Sequence, residues 1–308
     1  VPPMTTLILH HDDCLNHDPG KMHPESIQRV RTVLDALERL PGTEKLPAPL
    51  ATIEQIARAH DMEYWQGVIN AEPNEGRVML DQDTALSPGS VNAALRGSGA
   101  ACFAVDQIYA GRAKNAFCAT RPPGHHAETG KAMGFCLLNH VAVASRHAQA
   151  VHGAGKVAIL DFDVHHGNGT QAIFENDATV LYISSHQDLL YPGTGHTDET
   201  GVGNILNLPL PPNSGSAEFR QAWSVLGFPA LRAFVPDLIL ISAGFDAHEA
   251  DPLAQLKLQF DDYDWITHEI CDYAEQNCAG RIVSVLEGGY NLDALGACAR
   301  THVQALAQ

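Results

Sequence analysis

The sequence predicts an α/β fold: one domain over residues 1–308, built on a mainly parallel sheet with helices on both faces. Three observations predict it. Short apolar, β-branched runs alternate with longer stretches of helical spacing, the pattern that gives a parallel sheet between two helix layers. The composition is that of an ordinary globular chain, 45% hydrophobic and 18% charged. No repeat, low-complexity stretch or Gly/Ser linker marks a boundary that would divide the chain.

Taken in order, Thr6–His10 (TLILH) reads as the first strand, followed by helical spacing over about Pro24–Leu40 and Ser90–Ala110. Ala116–Ala119 is the next apolar run, and Leu137–Val151 the next amphipathic one. Val157–Leu160 (VAIL) and Val180–Ser184 (VLYIS) read as further strands. The stretch from Tyr191 to Gly215, rich in Pro and Gly, reads as long surface loops. Beyond it come a helix over Ala217–Phe234, a strand Leu238–Ser242, a helix Asp261–Gln276, a strand Ile282–Leu286 and a closing helix Asn291–Ala307.

Charge and composition exclude several classes. Thirty-six acidic against nineteen basic residues give a net charge of −17, and no Lys/Arg cluster is present, so a nucleic-acid partner is not expected. An acidic surface suits cationic partners such as lysine-rich peptides or polyamines, and serves plain solubility equally well. No apolar run approaches the roughly 18 residues of a membrane span. The start VPPMTTLILHHDD has no cationic leader region, its apolar stretch being only Leu7–Leu9, so a signal peptide is not expected. Seven scattered cysteines without a CxxC pair imply reduced, mostly buried thiols and a cytoplasmic setting rather than a disulfide framework. Seventeen histidines point towards metal chemistry.

Chemistry gathers at the strand ends. Val157–Leu160 runs into DFDVHHGNGT from Asp161, Leu238–Ser242 into AGFDAH, Ile282–Leu286 into EGGY, and the Ala116–Ala119 strand into TRPPGHH. In open parallel sheets ligands sit outside the carboxyl ends of the strands, so these four ends share one edge. In extended backbone Asp161, Asp163 and His165 face one side, and carboxylate and imidazole are both zinc ligands. An Asp at a strand end also caps helices, but capping does not account for the second His-His pair, Asp246 and the Gly-Gly-Tyr turn together. Asp163, His165 and Asp246 would leave an open coordination position, as a catalytic zinc requires. No HExxH motif is present.

These motifs are similar to those of the histone deacetylase family, in particular its bacterial and class II-like members, which include acetylpolyamine amidohydrolases. The resemblance rests on His23-Pro24-Glu25, RPPGHHA at 121–127, GFCLLNH at 134–140 and DFDVHHGNGTQ at 161–171. It continues through SSH at 184–186, YPGTG at 191–195, NLPLPP at 207–212, SAGFDAHEADPL at 242–253 and EGGY at 287–290. It implies a single-domain three-layer α/β/α sandwich of the arginase–deacetylase type with one catalytic Zn2+ per chain. By matching motif the metal ligands would be Asp163, His165 and Asp246, and His125 and His126 would be the tandem histidines beside the metal-bound water. Asp161 would orient His125 and Asn168 would partner His126. Tyr290 would assist the metal. Gly134 and Phe135 would form one wall of an acyl-lysine tunnel, Tyr191 the other, with Leu253 lining it. Arg29 would lie near an internal exit channel for acetate. Potassium would be held by Asp161, Asp163, His165, Ser184 and Ser185.

The resemblance implies hydrolysis of an acetylated amine to acetate and free amine, His126 being the expected general base and Tyr290 an oxyanion donor. Acetylated lysine peptides or proteins and acetylpolyamines are both open as substrates. Leu253 favours the apolar stem of an acyl-lysine, since a carboxylate there would suit a distant ammonium. Asp81 and Asp83 in LDQDT are expected near the rim or in an exposed acidic loop. An oligomer is compatible with the sequence. A non-catalytic acyl-lysine-binding module would be expected to have lost one of these groups, and a binuclear-manganese ureohydrolase to carry a carboxylate where HHGNG stands.

Overall fold

The computed structural model of the protein describes residues 5–308; residues 1–4, the first part of the stretch in which no leader is expected, lie outside the described residues. The strands are β1 (Thr6–His10), β2 (Thr43–Pro47), β3 (Val78–Met79), β4 (Ala85–Leu86), β5 (Asn115–Cys118), β6 (Val157–Asp161), β7 (Val180–Gln187), β8 (Ile205–Leu210), β9 (Leu238–Ala243) and β10 (Ile282–Leu286). The helices are α1 (Ile27–Ala36), α2 (Ile53–Ala57), α3 (Met62–Ala71), α4 (Ser90–Tyr109), α5 (His140–His152), α6 (Asn168–Phe174), α7 (Ser216–Ala222), α8 (Phe228–Phe234), α9 (Phe260–Asn277) and α10 (Leu292–Leu306). Eight strands form one parallel sheet in the order β2-β1-β5-β10-β9-β6-β7-β8, and β3 and β4 pair apart as a short antiparallel ribbon.

Period-2 alternation divides the core between the two faces of this sheet. Leu7, Leu9, Ala116, Cys118, Val157, Ile159, Leu238, Leu240, Val283 and Val285 pack under α4 and α5. Their neighbours Ile8, Phe117, Ala158, Leu160, Ile239, Ile241, Ile282 and Leu286 pack on the other face, against α1, α9 and α10. The result is the single-domain α/β/α sandwich expected. All seven cysteines are free, and six are buried. Among the described residues no helix is long and apolar enough to cross a membrane.

The differences from the expected elements have local causes. The stretch from Tyr191 to Gly215 is not loop throughout: Ile205–Leu210 is the edge strand β8, where Pro209 is tolerated because an edge residue need not donate on its outer side. β2, the other edge, reads TEKLP and is largely exposed, so it lacks the apolar run that marks the central strands. The first helix starts at Ile27 rather than Pro24. The helix expected over Ala217–Phe234 is α7 and α8 joined by a π-helical turn at Trp223–Gly227. Helices α2 and α6, five and seven residues long, are too short to show periodicity, and α3 was also unforeseen.

A buried ion-pair network ties the start of α1 to the loops beyond β1, β5 and β10. Arg121 grips Glu25 with two hydrogen bonds, Nε to Oε1 at 2.8 Å and Nη2 to Oε2 at 2.6 Å. Arg29 adds a third to Oε1 at 3.0 Å. Arg121 also donates to the carbonyls of Cys14 and His17, and Arg29 to that of Gly289. Burial alone would raise the Glu25 carboxyl, but Arg121 and Arg29 outweigh it and hold the group down at about 2.

Breaking a buried pair from one side leaves an uncompensated charge. Glu25→Ala, which strands both guanidinium groups, should lower unfolding free energy by roughly 3–5 kcal/mol in urea titration. Because the folded-state value of Glu25 is depressed, its contribution is present above the ordinary 4.5 and is lost as pH falls towards about 2. The stability difference between wild type and Glu25→Gln should therefore shrink across that window.

Candidate active site

The four strands that carry the motifs, β5, β10, β9 and β6, are consecutive neighbours in the sheet. Their carboxyl ends therefore deliver the RPPGHH loop, Glu287–Tyr290, Gly244–Asp246 and Asp161–His165 to one spot. The chain leaves extended geometry after Asp161, and two local bonds shape the turn: Asp163 N–H donates to Asp161 Oδ1 at 3.1 Å and His165 N–H to Asp163 Oδ1 at 2.8 Å.

Asp163, His165 and Asp246 converge, with one potential ligand atom from each lying within 4.8 Å of the others. His165 Nδ1 stands 3.1 Å from Asp163 Oδ1 and 3.2 Å from Asp246 Oδ2. The remaining carboxylate oxygens are held by backbone: Gly288 N–H donates to Asp163 Oδ2 at 2.7 Å, and Val164 N–H to Asp246 Oδ1 at 2.9 Å. Asp246 Oδ2 is buried and has no hydrogen-bond partner. Burial, then the charge of Asp163, pushes the Asp246 carboxyl up to about 7. An orphaned carboxylate oxygen, a second carboxylate and an imidazole nitrogen at this spacing fit a divalent cation, which would relieve that repulsion. Gly244 and Gly288 make the approach possible, because a Cβ at either would collide with these carboxylates.

The tandem histidines have opposite electrostatic settings. His125 Nδ1 donates to Asp161 Oδ2 at 3.0 Å. Burial opposes its positive charge, but Asp161, Asp163 and Glu287 outweigh burial and raise it well above the ordinary histidine value. Burial and the charges of His125 and His165 instead hold His126 well below it. His126 Nδ1 bonds Asn168 Oδ1 at 2.8 Å.

A cavity of about 210 Å³ opens from this cluster to the surface, lined by His126, Gly134, Phe135, His165, Leu190, Tyr191, Leu253, Tyr290 and Asp83. Tyr191 meets His126 edge-on at 5.2 Å, and Phe135 meets Tyr290 likewise at 6.0 Å. Gly134 and Phe135 both have positive φ, 57° and 69°. Gly134 lies so close to the His126 ring that no Cβ fits, and the Phe135 N–H is anchored on Thr84 Oγ1 at 3.1 Å. Burial outweighs the opposing charge of Arg29 and, with Asp246 and Asp163, raises the Tyr290 hydroxyl well above its usual range, so it stands protonated. Asp83 reaches the cavity mouth; Asp81 does not line it. Arg29 is fully buried, its guanidinium 4.8 Å from the Tyr290 ring centroid. Ser184 and Ser185 turn their hydroxyls to His186 Nδ1 and Trp223 Nε1.

Three supporting carboxylates had no role in the sequence reading. Fully buried Glu287 accepts from the N–H groups of Gly124 and His125 at 2.7 and 3.1 Å, and from Ser242 Oγ at 3.0 Å, fixing the tandem-histidine loop to β9 and β10. Asp251 accepts from Leu253 N–H at 3.0 Å and Tyr290 N–H at 2.7 Å, joining the tunnel wall to the tyrosine. Glu128 bonds the Asn168 amide at 3.0 Å. The signal for Glu287 was an acid directly after an apolar strand; Asp251 and Glu128 sit in polar loops that offer none. A further group, Asp106, His147 and His152, is closed on itself. Arg58 donates to His147 Nδ1, which leaves the hydrogen on Nε2 to donate to Asp106.

A family model described as the histone deacetylase domain matches residues 23–306. A histone deacetylase-like amidohydrolase of Pseudomonas aeruginosa is 41% identical over 273 residues, 87% of this chain and 72% of that protein. A type-2 histone deacetylase 2 of Dictyostelium discoideum is 35% identical across 98% of this chain, which spans only 21% of that protein's length. The solved HDA15 HD domain superposes with a TM-score of 0.90 at 36% identity, over 98% of this chain and 90% of that one. The chain belongs to the histone deacetylase family. Within it, this is a hydrolytic deacetylase on the arginase–deacetylase type of fold.

The closeness of Gly288 to both carboxylates generates a test. Gly288→Ala leaves an ordinary backbone but drives a methyl into Asp163 and Asp246. The variant should stay folded by circular dichroism, take up less than one metal ion per chain by elemental analysis, and lose turnover with it.

Proposed function

We propose that this chain is a zinc-dependent amidohydrolase that removes acetyl groups from the ε-amine of lysine in proteins or peptides. The observation that carries the reading is the narrow cavity that runs between Phe135, Tyr191 and Leu253 down to His126, His165 and Tyr290. Its walls suit the apolar stem of an acyl-lysine, and no carboxylate stands at Leu253 to hold a second ammonium. Asp83 at the mouth is placed to meet a peptide N–H or a cation.

Asp163, His165 and Asp246 would hold the zinc. When bound, zinc supplies Lewis acidity, polarising the amide carbonyl and making water acidic enough to attack near neutral pH. His126 is the neutral member of the tandem pair, and it takes the proton of the attacking water and returns it to the leaving amine. His125, charged and anchored on Asp161, contributes positive potential to the same spot. The Tyr290 hydroxyl donates to the oxygen that gains charge as the carbonyl becomes tetrahedral. The C–N bond breaks, and acetate and free amine leave. In this reading Asp161, Asp163, His165, Ser184 and Ser185 would hold a supporting potassium ion.

Two measurements test it. Tyr290→Phe should bind metal at full stoichiometry yet lose roughly 10²–10³ in kcat, the usual cost of one oxyanion donor; an unchanged kcat would remove the tyrosine from the chemistry. For substrate, wild type and Leu253→Glu should be compared on acetyl-lysine peptides and acetylspermidine-like amides. The carboxylate should lower kcat/KM on the peptide, because the apolar stem then faces an ion that must be desolvated. It should raise kcat/KM on the polyamine. A wild type already faster on acetylpolyamines would make the polyamine the substrate class.

A further inference from the structure

The side-chain amide of Asn168 is ambiguous by itself, since oxygen or nitrogen could face His126. Its surroundings remove the ambiguity. Beyond the imidazole, the amide meets Glu128 Oε1 at 3.0 Å, the His126 carbonyl at 3.4 Å and Met133 Sδ at 3.3 Å. All three accept hydrogen bonds and none donates, so Nδ2 must face them and Oδ1 must face His126 Nδ1. Nδ1 then carries the single hydrogen of the neutral ring, and Nε2 keeps its lone pair.

The strongest of these acceptors, Glu128, is itself held in place. Its N–H donates to the Lys131 carbonyl at 3.0 Å in a tight turn, and the preceding Ala127 carbonyl is bonded by Asn139 Nδ2 at 3.2 Å. Gly169, beside Asn168, lies against the His126–Ala127 backbone with no room for a Cβ. Asn168 and Glu128 therefore approach at a distance set by main chain.

We infer that Glu128 is a positioning residue that sets the tautomer of the general base: by fixing the orientation of the Asn168 amide, it keeps His126 as the Nδ1–H form with Nε2 free to accept a proton. Glu128 is no part of the cavity wall, so its effect falls on the chemical step rather than on substrate binding. The inference rests on the proposed role of His126 in amide hydrolysis, but the tautomer it assigns is measurable without any substrate.

The test uses donor and acceptor chemistry in opposite senses. Glu128→Lys replaces an acceptor by a donor, turns the Asn168 amide over, and moves the ring hydrogen of His126 to Nε2. In the zinc-loaded protein, nitrogen NMR of labelled histidine should show that exchange. The kcat on an acetyl-lysine peptide should fall roughly 10–100-fold, the usual cost of losing the partner that orients a site histidine, with KM little changed. Adding Asn168→Asp to Glu128→Lys gives the imidazole an acceptor that cannot turn over, and should restore both the Nδ1–H signal and most of kcat. A mere packing defect at Glu128 would not be repaired by a second change at Asn168. An Nδ1–H signal that persists in Glu128→Lys, or a double variant no better than the single one, overturns the inference. A wild type that shows the expected tautomer but hydrolyses neither acetyl-lysine nor acetylpolyamine substrates would instead count against the proposed function.

Discussion

Two carboxylates buried beside one imidazole are the constraint on which the rest of this structure depends. Like charges about 4 Å apart repel by roughly 4 kcal/mol at the effective dielectric of a protein near its surface, and more in a drier site. Asp163 and Asp246 are almost completely buried, so neither is relieved by water. Backbone N–H groups from Gly288 and Val164 take one oxygen of each, and His165 stands between the remaining ones. What is left is a concentration of negative potential with one unpartnered oxygen, the environment a divalent cation completes.

Holding that arrangement requires rigid surroundings, and a parallel sheet supplies them. The four strands involved are adjacent, buried on both faces, and end together. Beneath their ends lies a second tier of buried charge. Glu287 pins the tandem-histidine loop, while Glu25, Arg121 and Arg29 lock the loops behind it and reach the turn that carries Tyr290. Each carboxylate in this tier is satisfied by several donors, as a buried carboxyl group requires; Arg121 and Arg29 keep Glu25 charged, whereas burial pushes Glu287 up to about 7. Asp251 extends the same logic outward, joining Leu253 of the tunnel to the backbone of Tyr290.

The contrast between His125 and His126 shows how environment divides labour between identical residues. Their rings are 4.0 Å apart, yet one faces the anionic Asp161 and the other a neutral amide. The nearby positive charge of His125 is part of what keeps His126 neutral. A pair whose environments push their proton affinities apart is the arrangement from which acid and base roles are drawn.

The sequence by itself determined the fold class and singled out the polar residues that the sheet gathers at one edge. Six central strands were legible because strands buried on both faces are runs of apolar residues, and the residues following four of them carried the carboxylates and histidines that meet at one spot. The edge strands β2 and β8 were not legible: solvent on one side removes the apolar run, and Pro209 reads as a loop breaker. Local pattern marked Glu287 only as an acid after an apolar strand and did not distinguish Asp251 or Glu128 from ordinary loop acids, because the partners of Glu287, Asp251 and Glu128 lie 163, 39 and 40 residues away in the chain. Only the tertiary structure decided which carboxylate oxygen is left without a partner, which histidine is neutral, and which way the Asn168 amide faces. Those properties belong to the distances between side chains on different strands and loops, and such distances exist only once the sheet has brought the strand ends together.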